Sequence, residues 1–243
     1  MKILIFFAFI LAVFAGTVIS QNTSTPWTEW SKKDAEKILN DSAWGQSESV
    51  GVGEPVNTAV ITKTQGGGSE NIQRNGENAE TMGGPKPVYY RARFLTAKPV
   101  REAFARMVTL SKPDAGKDLT DQLQEFIDRD FGNYLVVALS VESSDPRIAG
   151  GVMNMLSRLN KDTLKDKVYL ERKDGKRLML MDYRSPIADI MGAKFIFERS
   201  LDGQPFLTAD SDSVRFVVEI SEKMKFNMRF RVAAMMYAGK LEY

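Results

Sequence analysis

The sequence predicts an α+β domain, with a mainly antiparallel sheet carrying helices on one face, preceded by an N-terminal helix and a long glycine-rich connector. Three observations carry this reading. Apolar residues recur at helical spacing between Val100 and Leu159, interrupted by one strongly apolar run. From Lys167 onward they alternate with polar residues, as on strands that bury one face. Between Gly45 and Pro87 neither period is present.

The first 20 residues pair Lys2 with an apolar run from Ile3 to Ala15 and a small residue at Ser20, the layout of a secretory signal peptide. The expected mature chain begins at or near Gln21. Next come Trp27, Trp30 and Trp44, all the tryptophans of the protein. They flank a helix expected from Ser31 to Asp41, where Ser31 and Asp34 match a capping box and Ala35, Ile38 and Leu39 share one side. Segment 21–44 is expected to dock on the body through indole area, since so short a helix is marginal alone. The competing use of Trp27, Trp30 and Trp44 is an aromatic platform for a sugar or peptide.

Residues 45–87 hold half of the 18 glycines and no aromatic residue, so they read as a flexible connector with at most one short strand near Val56–Ile61. No Gly-Lys-Ser/Thr follows the glycines, which argues against a phosphate loop. The body is expected to span 88–243 as a single domain. In Val88–Phe94, Tyr90, Ala92 and Phe94 alternate with Tyr89, Arg91 and Arg93, a strand with a basic outer face. Thr96 is the expected cap of a helix with Pro99 in its first turn, and a second helix runs from Asp118 to Phe131, closed by Gly132. Tyr134–Val141 is continuously apolar, which suits a central strand buried on both faces. Asp145 and Pro146 open a third helix, where Gly150 and Gly151 suggest close approach of a neighbouring backbone.

Asp174-Gly175 marks a hairpin joining Lys167–Arg172 to Arg177–Asp182. Ala193–Arg199 is a further strand, followed by a turn over Leu201–Pro205. Val214–Ile220 and Phe226–Val232 alternate as the last pair, the second with Lys225, Asn227, Arg229 and Arg231 on its polar face.

Composition removes much chemistry. The chain has 243 residues, 43% apolar and 26% charged, with no cysteine and no histidine, so disulfides, Cys or His metal sites and imidazole bases are excluded. Its 33 basic and 31 acidic residues leave a net charge of +2, too little excess for a dedicated nucleic-acid binder. No later apolar run reaches membrane-spanning length. No cofactor, metal ligand set or catalytic residue is assigned. Arg91, Arg93, Lys225, Arg229 and Arg231 form the candidate anion-binding set, against the plainer role of charges that keep a sheet face solvated. Asp210–Ser213 begins a calcium-like pattern without its glycine or distal glutamate, and reads as a turn. Asp182 and Glu198, near strand ends, are the pair available for glycoside hydrolysis. The methionines, including Met179, Met181, Met235 and Met236, read as core filler.

The motif from Trp30 to Trp44 (WSKKDAEKILNDSAW), together with Lys98–Ala103, Met235 and Gly239–Tyr243, resembles a group of uncharacterised exported proteins abundant in soil acidobacteria. Ala43 stands where that group usually has proline. The resemblance implies export from a bacterial cell and carries no catalytic residue across. The leading expectation is an exported, periplasmic or extracellular, non-catalytic module that binds an envelope protein, polysaccharide or other surface component. The competing class is a carboxylate-dependent hydrolase acting on envelope or extracellular glycans.

Overall fold

Serine and aspartate set the first helix in the way their spacing requires. In the structure, a computed structural model describing residues 25–50, 86–186, 191–221 and 224–243, the Ser31 hydroxyl accepts from Asp34 N and the Asp34 carboxylate accepts from Ser31 N. This box opens α1 (Lys32–Asn40), after a 3₁₀ turn at Trp27–Glu29. There follow β1 (Gly45–Val50), β2 (Val88–Phe94), α2 (Lys98–Ser111), α3 (Lys117–Ile127) and β3 (Tyr134–Ser143). Next are α4 (Pro146–Ser157), α5 (Lys161–Leu164), β4 (Val168–Arg172), β5 (Arg177–Met179), β6 (Asp182–Arg184) and β7 (Ala193–Glu198). A small hairpin, β8 (Ser200–Leu201) and β9 (Gln204–Pro205), precedes β10 (Ser213–Ser221) and β11 (Met224–Arg231). The chain closes with β12 (Met236–Tyr237) and β13 (Lys240–Leu241).

All strand pairs among the described residues are antiparallel, so the α+β class read from the sequence is the observed one. The strands form a five-stranded sheet, ordered β1-β2-β3-β7-β6, and a four-stranded sheet, ordered β11-β10-β4-β5. The apolar sides of the two sheets face one another. Tyr90 meets Phe226 at 5.3 Å between ring centroids, Phe94 meets Phe230 at 4.9 Å and Phe195 meets Phe216 at 5.4 Å. The chain from β5 to β6 passes from one sheet to the other: Leu180 N donates to Val168 O and Met181 N to Ile196 O. A strand switching sheets makes the corner of such a stack. The sequence reading has one main sheet where the described residues form two large ones, because alternation identifies a buried face without naming what buries it.

β3 is central in its sheet, and its residues from Leu135 to Leu139 are buried on both sides. Its inward residues pack on the second sheet. On the other side lie α1 and α2, and α3 in turn rests on α2 through Ala105, Leu123 and Ile127.

Several local expectations are corrected. The segment expected to begin the connector, Gly45–Val50, is a strand paired in full register with β2. Its polar residues give no apolar alternation; backbone pairing holds it, and Gly45 lies so close to α1 that an added Cβ would stand 2.3 Å from Leu39 O. Thr96 does not cap α2, whose N-cap is Ala97; the Thr96 hydroxyl is buried and accepts from Val136 N at 3.5 Å. The second helix stops at Ile127, before Phe131. An added Cβ at Gly150 or Gly151 would meet nothing within 4 Å, so close packing does not account for them. Met179 and Met236 are exposed and are not core filler, whereas Met235 is fully buried. The signal segment 1–20, the connector beyond Val50 as far as residue 85, and the strand expected near Val56–Ile61 lie outside the described residues.

Candidate functional site

The five cations grouped by sequence fall on opposite outer surfaces. Arg91 and Arg93 project from the helix-covered side of the five-stranded sheet, whereas Lys225, Arg229 and Arg231 stand exposed on the far side of the other sheet. They do not form one site. Of the second group, Lys225 pairs with Glu219 at 3.3 Å and Arg229 with Asp212 at 3.2 Å. Such exposed pairs are what a solvated strand needs to remain unattractive to another sheet edge.

The first group lines a cleft of about 430 Å³ bounded by Glu36, Leu39 and Asn40 of α1, Phe104 and Met107 of α2, and Glu142 of β3. Antiparallel register places Arg91 across from Ser140 and next to Glu142, with which it forms an ion pair of 2.8 Å. The arginine is 24% exposed and its carboxylate partner 53%. Arg91 Nε is shielded from solvent and has no hydrogen-bond partner among the described residues.

Arg93 lies deeper, with 3% of its surface exposed. Its Nε donates to Leu39 O, Nη1 to Ser140 Oγ and Nη2 to Asn40 Oδ1, each at 2.8 Å, and its guanidinium lies 5.4 Å from the Phe104 ring centroid. All three acceptors are neutral. Burial, reinforced by the neighbouring positive charge of Arg91 and opposed by Glu142, pulls the Arg93 pKa down to about 10. The group therefore keeps its charge at neutral pH. A guanidinium carries five N–H donors, so these contacts leave donor capacity unspent. The cleft thus combines a buried cation, a second cation held by one exposed carboxylate, and apolar walls.

Two of the three tryptophans are not available as an aromatic platform. Trp44 is fully buried and Trp30 nearly so, with Trp27 partly covered. Trp44 Nε1 donates to Glu242 O at 2.7 Å, and its ring meets Tyr237 edge-on at 6.2 Å. Trp30 Nε1 donates to Thr25 O, while its own carbonyl accepts from Arg106 Nε on α2. The Trp44 indole thus ties the turn after α1 to the C-terminal segment, and the Trp30 carbonyl ties the chain before α1 to α2.

Asp182 and Glu198 lie on one face of neighbouring strands β6 and β7, but neither borders the cleft. Asp182 is engaged by Arg184 at 3.2 Å and by Tyr183 N at 2.8 Å, and Glu198 is exposed. Asp212 of the calcium-like run is occupied by Lys173 and Arg229, and no acidic cluster suited to a metal occurs among the described residues.

Sequence reasoning missed Asn40, Ser140, Glu142 and Phe104, the partners that define the cleft. No local signal marks them, because α1, α2, β2 and β3 meet there only through the fold. It also missed Glu102, buried on α2 and bonded by the Tyr237 hydroxyl. Burial pushes the Glu102 carboxyl above its ordinary range, with the Tyr237 hydrogen bond opposing the shift. Glu242 answers from the same C-terminal segment, its carboxylate accepting from Lys98 N at the start of α2.

No family model matches the chain, and no curated protein matches it. Among solved structures it is similar to a novel protein of unknown function from Burkholderia pseudomallei, at a TM-score of 0.42 and 14% identity, over 60% of this chain and 76% of that one.

Proposed function

We propose that the protein is an exported, non-catalytic module that binds an acidic group on a partner or surface component of the bacterial cell envelope. The observation that carries this reading is Arg93, a charged guanidinium buried among neutral acceptors beside Arg91 at the foot of the cleft. A buried cation without a carboxylate of its own favours an anion from outside. The acids named for hydrolysis lend no comparable support, since Asp182 is already ion-paired and Glu198 faces solvent. The leader-like sequence at residues 1–20 supports export, as does the resemblance of the Trp30–Trp44 motif to exported proteins.

Intact mass of the protein recovered from its native host is expected to show a chain beginning at or near Gln21; a retained Met1 would remove the envelope from the proposal. For binding, the mature protein is incubated with defined acidic polysaccharides and with anionic and neutral lipid vesicles, while hydrolysis of the same glycans is followed. Retention on an acidic surface without turnover is expected, reduced at least several-fold by Arg91→Gln. Turnover abolished by Asp182→Asn or Glu198→Gln would replace this reading with the hydrolase.

A further inference from the structure

The cleft beneath α1 and α2 has a charge count and a wall chemistry that narrow its ligand. Glu36 is tied along α1 to Lys32 at 3.7 Å, and Glu142 is tied to Arg91 at 2.8 Å. Of the four charged groups lining the cleft, Arg93 is the one whose hydrogen-bond partners among the described residues are all neutral. A phosphate dianion would crowd the two carboxylates already on the rim, Glu36 and Glu142, more than a monoanion does. Leu39, Phe104 and Met107 supply apolar wall beside the guanidinium groups, which suits a ligand whose charged end adjoins a hydrocarbon body.

Arg91 shows how such a ligand enters. Among the described residues its side chain makes one hydrogen bond, from Nη1 to Glu142 Oε1, and its shielded Nε has no partner. Glu142 is the more exposed member of that pair, so it can swing into water at little cost while Arg91 stays in place. A planar carboxylate matches the fork of a guanidinium edge, and Glu142 already occupies part of that position.

Resting on the proposal that this cleft binds an acidic group, we infer that it takes an organic monocarboxylate with an apolar tail or ring, whose carboxylate displaces Glu142 from Arg91. Glu142 is then an internal competitor, which weakens binding and disfavours a phosphate dianion.

Calorimetric titration of the mature protein with octanoate and 3-phenylpropionate tests this, with octanamide and inorganic phosphate as comparison probes. The carboxylates are expected to bind at least tenfold more tightly than octanamide or phosphate, a comparison that needs no variant. Glu142→Gln is expected to tighten octanoate binding about three- to tenfold, and Arg91→Gln to weaken it at least tenfold while leaving the circular dichroism spectrum and the melting temperature near wild type. Equal binding of octanoate and octanamide would reduce the cleft to an apolar crevice and overturn the inference. So would weaker binding in Glu142→Gln, or tighter binding of phosphate. If these carboxylates fail while acidic polysaccharide or vesicle binding persists and still falls in Arg91→Gln, the ligand class is wrong and the module reading stands. If both fail, neither stands.

Discussion

On β2 and on β11, cations alternate with apolar residues that face the same core, yet Arg93 is shut beneath two helices while Lys225, Arg229 and Arg231 stand in water. Along β11, Phe226, Met228 and Phe230 turn inward, as Tyr90, Ala92 and Phe94 do along β2. The patterns are equivalent as written. What separates them is cover: α1 lies across β2, and nothing in the described chain lies comparably across β11. Under the helices a guanidinium must find acceptors or carry an unsatisfied burial, and Arg93 finds a helix-end carbonyl, a side-chain amide and a hydroxyl. In water the same group needs no partner, and its carboxylate contacts contribute little. One row is therefore part of the architecture and of a candidate site, and the other keeps a sheet surface soluble.

The largest test removes the cover. Trp44 is fully buried and joins the turn after α1 to the C-terminal segment. Trp44→Ala is expected to cost about 3–5 kcal/mol, the range for truncating a buried indole. At about 2–4 °C per kcal/mol for a chain of this size, thermal unfolding should begin roughly 10 °C lower. An unchanged melting temperature would mean that α1 is not anchored through this ring and would leave the contrast between the two rows without its cause.

A smaller effect separates the rows directly. Arg93→Ala abandons Leu39 O, Asn40 Oδ1 and Ser140 Oγ inside the protein, and roughly 2–4 kcal/mol of stability should disappear in urea unfolding. Arg229→Ala should cost less than about 0.5 kcal/mol in the same measurement. Comparable losses at the two positions would erase the distinction drawn here.

The smallest effect carries the comparison from cations to acids. Asp174, at the surface, is held down to about 2, first by its hydrogen bonds from Arg172. Its contribution to stability is present above the ordinary carboxylate range and is lost as pH falls through about 2. Glu102 is shifted the other way, because burial disfavours its charged form. A raised pKa gives stability that is complete below the ordinary value and is lost as pH rises through the folded value. Glu102→Gln keeps an acceptor for the Tyr237 hydroxyl and removes the charge. Its melting temperature should exceed that of wild type by a margin that grows between pH 4 and pH 7. A margin that shrinks with rising pH would show that the Tyr237 bond to a charged carboxylate outweighs desolvation.

Local sequence determined a good deal of this molecule. The Ser31 and Asp34 capping box, Asp145 at the start of α4, the Asp174-Gly175 turn and the alternation along β2, β10 and β11 are decided within a few residues, by backbone hydrogen bonding and side-chain period. The α+β class follows from their order. β1 was not legible, because Gln46, Ser47, Glu48 and Ser49 carry no apolar period and become a strand only against the waiting edge of β2. The second sheet was not legible either, since a period of two states that one face is buried and is silent about its partner. The candidate site shows the same division most sharply. Arg91 and Arg93 were visible as cations on a strand, while their separation from the β11 row, the burial of Arg93 and its ring of Asn40, Ser140 and Leu39 arose only when α1 and α2 closed over β2 and β3. The physical reason is range: capping, turn and period energies act within one segment, whereas burial and the hydrogen bonds it demands depend on which distant surface arrives on top.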